Sequence, residues 1–216
     1  MTPSDDVASP RVARCDTTAS IAGAPSNDLD PLPEPLATIA ATAGAPGLAL
    51  HDHGPHHWKC VALTGLDIAL RDRAIDLQTV YLFAQLHDSQ RLSEYDDPEH
   101  GPRAAAIAHA AITGSGIPDF EPGSGRASKL VQAIRDHTTA APSDDPTVGA
   151  CWDADRFNLW RVGITPDLAY MSTTTAHEHF DKLSAAAQAR IARPEPSWAV
   201  VADAISCGLP GGGATK

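Results

Sequence analysis

The stretch Leu82 to Arg91, LFAQLHDSQR, ends an apolar helical run on two adjacent polar residues, His87 and Asp88. Val80, Phe83, Leu86 and His87 keep to one inward face of that helix, and Asp76 stands at its start, where a side-chain cap is favoured. A fold that buries this face also buries the imidazole at its end, and polar groups are costly to bury without partners. The rest of the chain must therefore bring partners to that point. The dipeptide alone says little about chemistry, because ten histidines make one such pair expected by chance and His51-Asp52 is another.

What surrounds the pair reads as helical. Hydrophobic residues make up 43% of the chain and are rich in alanine, while aromatic residues make up 5%; this favours closely packed helices over a sheet of β-branched and aromatic side chains. The expected fold is all-α, a single compact helical bundle, since 216 residues suffice for one well-filled core and are few for two ordinary domains. A formal net charge of -11 argues against large nucleic acids and anionic membrane surfaces as partners, so any phosphate has to be held locally. Cys15, Cys60, Cys151 and Cys207 are scattered without a CxxC pair. With no export signal and no run of about 18 to 20 apolar residues, a cytoplasmic location is expected.

Residues 1–34 have no helical or strand period and carry Pro25, Pro31 and Pro33, which predicts a flexible or draped arm. Residues 35–207 make the helical domain, and 208–216 a frayed tail. A short helix is expected from Leu36 as far as Gly44. After the Gly54-Pro55 turn, His57 opens a run in which Val61, Leu63, Leu66 and Leu70 recur at roughly helical intervals. Beyond His87-Asp88, the polar loop Ser89 to Pro98 carries Arg91, Glu94, Asp96 and Asp97, as either the rim of a site or solvated surface. Helices are expected over about 99–112 and over 129–137, the second with Leu130, Val131 and Ile134 leading to His137. In TVGACWDADRFNLWRVGI, Asp153 and Asp155 stand about 200° apart around a helix. One should face the core and the other solvent or a basic partner. A helix of about 175–192 and a short apolar stretch near Trp198 to Ile205 close the bundle.

In chain order, the residues at helix ends or on inward stripes are His57, His87, Asp88, His100, His137 and Asp155. Imidazole and carboxylate together suit a divalent transition metal, Mn, Fe, Co, Ni or Zn, as one or two ions, and the lack of thiolate argues against a structural zinc knot. A catalytic, water-bearing site is the expectation. His109, His177 and His179 read as ordinary helix histidines.

This ordered set resembles the HD-domain superfamily of metal-dependent phosphohydrolases, whose signature is a histidine, then His-Asp, then a distant aspartate. The resemblance spans roughly residues 50–165. HWKCV (57–61) is similar to the first-histidine helix, LFAQLHDSQR (82–91) to the namesake pair, and ADRFN (154–158) to the closing element, which implies Asp155 rather than Asp153 as a ligand. EHGPRAA (99–105) and AIRDHT (133–138) are similar to the additional histidines of members with a second metal, and imply that His100 and His137 serve a second ion with Asp88 as bridge. The chain departs from the pattern at Cys60, where a basic residue often follows the first histidine, and in long Pro-containing loops, which leaves the substrate open. The resemblance implies hydrolysis of a small phosphorylated substrate, a phosphomonoester or phosphodiester such as a nucleotide, by metal-activated water. Besides Asp88, Arg91 is expected to offer a fork of donors to the phosphate and Lys59 a point charge. Two alternatives share the pattern: an HD-fold diiron oxygenase, and a non-catalytic nucleotide-binding or interaction protein that keeps the ligands for stability.

Overall fold

Proline and acidic caps set many of the helix starts in the computed structural model, which describes residues 30–208 apart from 115, 116, 118 and 122. Pro35 lies in the first turn of α1 (Glu34–Thr42), and Pro55 opens α2 (Pro55–Ala69). Asp76 accepts from Gln78 N ahead of α3 (Leu77–Leu86). α4 (His100–Gly114) and α5 (Gly125–Asp136) follow, the latter capped by Ser124, and Asp145 accepts from Thr147 N and Val148 N at the start of α6 (Pro146–Phe157). A proline at this position gives up no intrahelical bond, and an acidic or hydroxyl cap satisfies amides that would otherwise be free. Three short 3-10 turns (Pro46–Ala49, Asn158–Val162 and Leu168–Tyr170) and α7 (Thr174–Glu178), α8 (Phe180–Ile191) and α9 (Trp198–Gly208) complete the order.

Among the described residues there are helices and turns but no strand, so the all-α expectation holds. α2 lies at the centre, with α3, α6, α8 and α9 packed around it, while α4 and α5 pair with each other and lean on α3. Trp58, Phe83, Leu86, Ile134 and Phe157 are fully buried at these contacts. No helix among the described residues is long and apolar enough to cross a membrane.

Three local expectations change. The helix expected over 175–192 is two helices, because His179 takes φ -122 and ψ 22 between α7 and α8. Asp153 neither reaches solvent nor forms a salt bridge among the described residues: it is fully buried and accepts from the backbone N–H of Ser172 and Thr173 and from the Thr173 hydroxyl. Backbone donors there do the work expected of a cation, and burial still pushes its carboxyl up. Finally, α1 takes in Glu34 and α9 takes in Gly208, one residue beyond each expected edge. The arm before residue 30 and the tail after 208 lie outside the described residues.

Candidate metal centre

Five elements deliver six side chains to one buried point. His57 comes from the first turn of α2, His87 and Asp88 from the end of α3, His100 from the start of α4, His137 from the end of α5, and Asp155 from the last turns of α6. Close backbone approach makes this possible in two places. The Pro46–Ala49 turn lies on the His87-Asp88 corner, with Gly47 N donating to Ser89 O, and a Cβ on Gly47 would collide with the Asp88 carbonyl. Where α4 crosses the end of α5, a Cβ on Gly101 would stand 2.8 Å from Arg135 O and 2.9 Å from Ile134 O. Glycine lets the helices meet so closely that His100 and His137 face each other.

The geometry divides Asp88 between two groups. Its Oδ2 lies 3.7 Å from His57 Nε2 and 3.5 Å from His87 Nε2. Its Oδ1 lies 3.0 Å from His100 Nε2 and 3.6 Å from His137 Nε2. The two imidazoles of each group are also close, with Nε2 atoms 3.2 Å apart for His57 and His87 and 2.9 Å apart for His100 and His137. Asp155 Oδ1 joins the first group, 3.2 Å from His57 Nε2. Two ligand atoms about 2.1 Å from one ion stand about 3.0 Å apart at a right angle and about 3.4 Å apart at the tetrahedral angle. The observed spacings bracket those values.

Hydrogen bonding prepares the ring nitrogens for such a role. His87 Nδ1 donates to Phe83 O and Ala84 O, His100 Nδ1 to Asp97 O, and His137 Nδ1 to Ile134 O. A carbonyl only accepts, so in the neutral tautomer each of these rings carries its lone pair on Nε2. For His100 and His137 this turns the two Nε2 atoms toward each other at 2.9 Å, a contact that either a shared proton or a metal ion would satisfy. Asp155 Oδ1 is buried, and its nearest polar neighbour among the described residues is His57 Nε2 at 3.2 Å. The residues therefore fit a metal in chemistry and in spacing.

Electrostatics agrees for most of the set. Burial, helped by the Arg161 charge, pushes the His57 imidazole down to about 3, and burial pushes His87 down to about 4, so both are neutral at neutral pH. Burial opposes ionisation of Asp88, but His87, His100 and His137 outweigh it and hold the carboxyl well below the usual range. Asp155 is likewise held down against burial by His57 and Arg161. His137 goes the other way: burial lowers it, yet Asp88 raises it further.

The structure does not bring Lys59 to this point. Two residues beyond His57 on α2, it turns to the opposite side and donates to Asp30 at 2.8 Å and Glu195 at 2.7 Å, with its ammonium 5.2 Å from the Trp198 ring centre. Arg91 does stay nearby: Nη1 is 3.2 Å from His100 Nδ1 and 3.4 Å from its Nε2, while Nε and Nη2 donate to Ser93 O and Tyr95 O. Those bonds brace the loop after α3. The acidic loop residues are braces too, Glu94 accepting from His53 and from the amides of His51 and Asp52, and Asp97 from Arg103 and Leu92 N. Arg161, which sequence reasoning missed, lies at the edge of the cluster with Nη1 3.7 Å from Asp155 Oδ1. It lies six positions after Asp155, and only the 3-10 turn after α6 folds it back, so no periodic signal marks it.

No family model, curated protein or solved structure matches the chain.

Proposed function

We propose that this chain is a metal-dependent phosphohydrolase of the HD type, acting on a small phosphorylated substrate. The observation that carries the reading is the division of Asp88, one oxygen toward His57 and His87 and the other toward His100 and His137. Such a carboxylate would be able to hold two ions, one on each oxygen's side, with Asp155 completing the first group. A divalent ion held by these residues supplies a bound water of lowered pKa and a Lewis acid for a phosphoryl oxygen.

The chain's own residues do the rest. His57 and His87 are kept neutral by burial, so their Nε2 lone pairs are free at neutral pH. Carbonyl acceptors orient His87, His100 and His137, and Phe83 stacks on the His87 ring at 4.8 Å between centres, which limits its rotation. Arg161 adds positive charge beside Asp155.

The test is a screen of generic phosphoesters and nucleotides against Mn, Co, Ni, Fe and Zn, with Asp88→Ala as control. Metal-dependent phosphate release is expected, and Asp88→Ala should lose bound metal and lower the rate by about 100-fold or more, as removal of a ligand exceeds the 10- to 100-fold typical of outer partners. A folded Asp88→Ala variant with unchanged metal content and activity overturns the proposal. So does an iron pair that consumes oxygen without phosphatase activity.

A further inference from the structure

A pocket of about 130 Å³ opens beside the cluster, with His57 and Arg161 common to both. His57 and Cys60, both buried, form its inner end, and the exposed His51 stands with Asp52 and Ile191 nearer the mouth. Two donors in it are underused. Arg161, its side chain nine-tenths buried, spends Nε on Asp52 O and Nη1 on Asn158 O and, at 3.7 Å, on the Asp155 carboxylate, and the two N–H groups of Nη2 have no partner among the described residues. His56 Nε2 is buried and has no hydrogen-bond partner among the described residues.

The geometry points to this pocket as the seat of the phosphoryl group of a phosphomonoester, gripped by Arg161 and His56 and closed to phosphodiesters. The inference rests on the phosphohydrolase reading and narrows its substrate. Charge supports an anionic guest: with neutral imidazoles, Asp88 and Asp155 less the Arg161 cation leave a single negative charge, so one or two divalent ions would make the site net positive. Asp52, the one acid lining the pocket, is at the mouth and engaged by His51. A partly free guanidinium fork matches two oxygens of a tetrahedral oxyanion.

Size supports the monoester. At about 130 Å³ the pocket is well below the 300 Å³ or more of sites that enclose a drug-sized ligand. It takes a phosphoryl group and leaves the rest of the ester outside. A diester carries a second substituent on phosphorus, for which a pocket of this size, lined by the buried His57 and Cys60, leaves little room.

The experiment is calorimetric titration of the full chain, metal-free and manganese-loaded, with inorganic phosphate, methyl phosphate and dimethyl phosphate, alongside metal analysis and melting curves. Phosphate and methyl phosphate should bind the loaded protein, and dimethyl phosphate at least about tenfold more weakly. Arg161→Gln and Ile191→Trp should each weaken phosphate binding by about tenfold or more with metal content unchanged. Arg161→Gln also removes the bonds to Asp52 O and Asn158 O; if it fails to fold, Ile191→Trp and His56→Ala decide. Folded variants that bind phosphate like the parent, or dimethyl phosphate binding as well as methyl phosphate, overturn the inference. A protein that retains no metal overturns the phosphohydrolase reading instead, and phosphate binding to the metal-free protein, lost in Ile191→Trp, then still decides the pocket.

Discussion

At the scale of single residues, the division of Asp88 makes the two histidine pairs separable. His137→Ala should remove one of two bound metal equivalents and leave the group of His57, His87 and Asp155 able to hold the other; metal analysis of the purified variant reads this directly. Retention of both equivalents would show that His137 is not a ligand. Acid should act on the same residues. His57 and His87 have folded values of about 3 and about 4, below the ordinary 6.5, so their contribution to stability is complete above 6.5 and is lost as pH falls toward those values. Asp88 has the same sign at lower pH, since its carboxyl is held down in the fold. His137 opposes this, its contribution being present below 6.5 and lost as pH rises through its raised folded value. Below 6.5 the contribution of His137 is already complete and the two lowered imidazoles govern, so the melting temperature of the metal-free protein should fall from pH 6.5 to pH 4.5. A melting temperature that rises over that range would mean these rings are protonated in the fold.

At the scale of elements, the crossing of α4 and α5 sets the second half of the site. Gly101 follows His100 directly and lies against the carbonyls of Ile134 and Arg135, just ahead of His137. Alanine is the better helix former by about 1 kcal/mol, but backbone oxygens cannot rotate away from an added methyl, and overpacking of this kind costs about 1 to 3 kcal/mol. Gly101→Ala should therefore lower the melting temperature despite its helix propensity. It should also weaken one metal equivalent by about tenfold, by parting His100 from His137. A raised melting temperature with two equivalents held as tightly as before would contradict the account. The periodicity of α5 and its end on His137 are visible in the sequence, as are the cap at Asp76 and the corner at His87-Asp88. The break at His179 is not, because an unbroken polar and alanine-rich run carries no local stop signal, and packing decides it.

At the scale of the whole molecule, a site fed by five helices ties metal binding to the stability of the bundle. Ligand binding to the folded state alone adds about 2.7 kcal/mol at one hundred times Kd, and each kcal/mol moves the melting temperature of a chain this size by about 2 to 4 °C. Manganese at that excess should thus raise the melting temperature by roughly 5 to 10 °C, reversibly with a chelator; no shift with any of the five metals would leave the cluster without a metal role. The sequence by itself determined the helical class, through its alanine-rich and aromatic-poor composition, and the candidate ligands, through helical stripes that begin at His57 and end on His87 and His137. These are local properties, written in spacing along one helix. Only the tertiary structure decided what lies across helices: that Asp88 offers an oxygen to each histidine pair, that Lys59 turns away to Asp30 and Glu195, that Asp153 is held by Ser172 and Thr173, and that Arg161 returns to the cluster. Those facts depend on which helix faces meet and how closely, and glycine contacts such as Gly101 on Ile134 and Arg135 settle that only when the whole bundle packs.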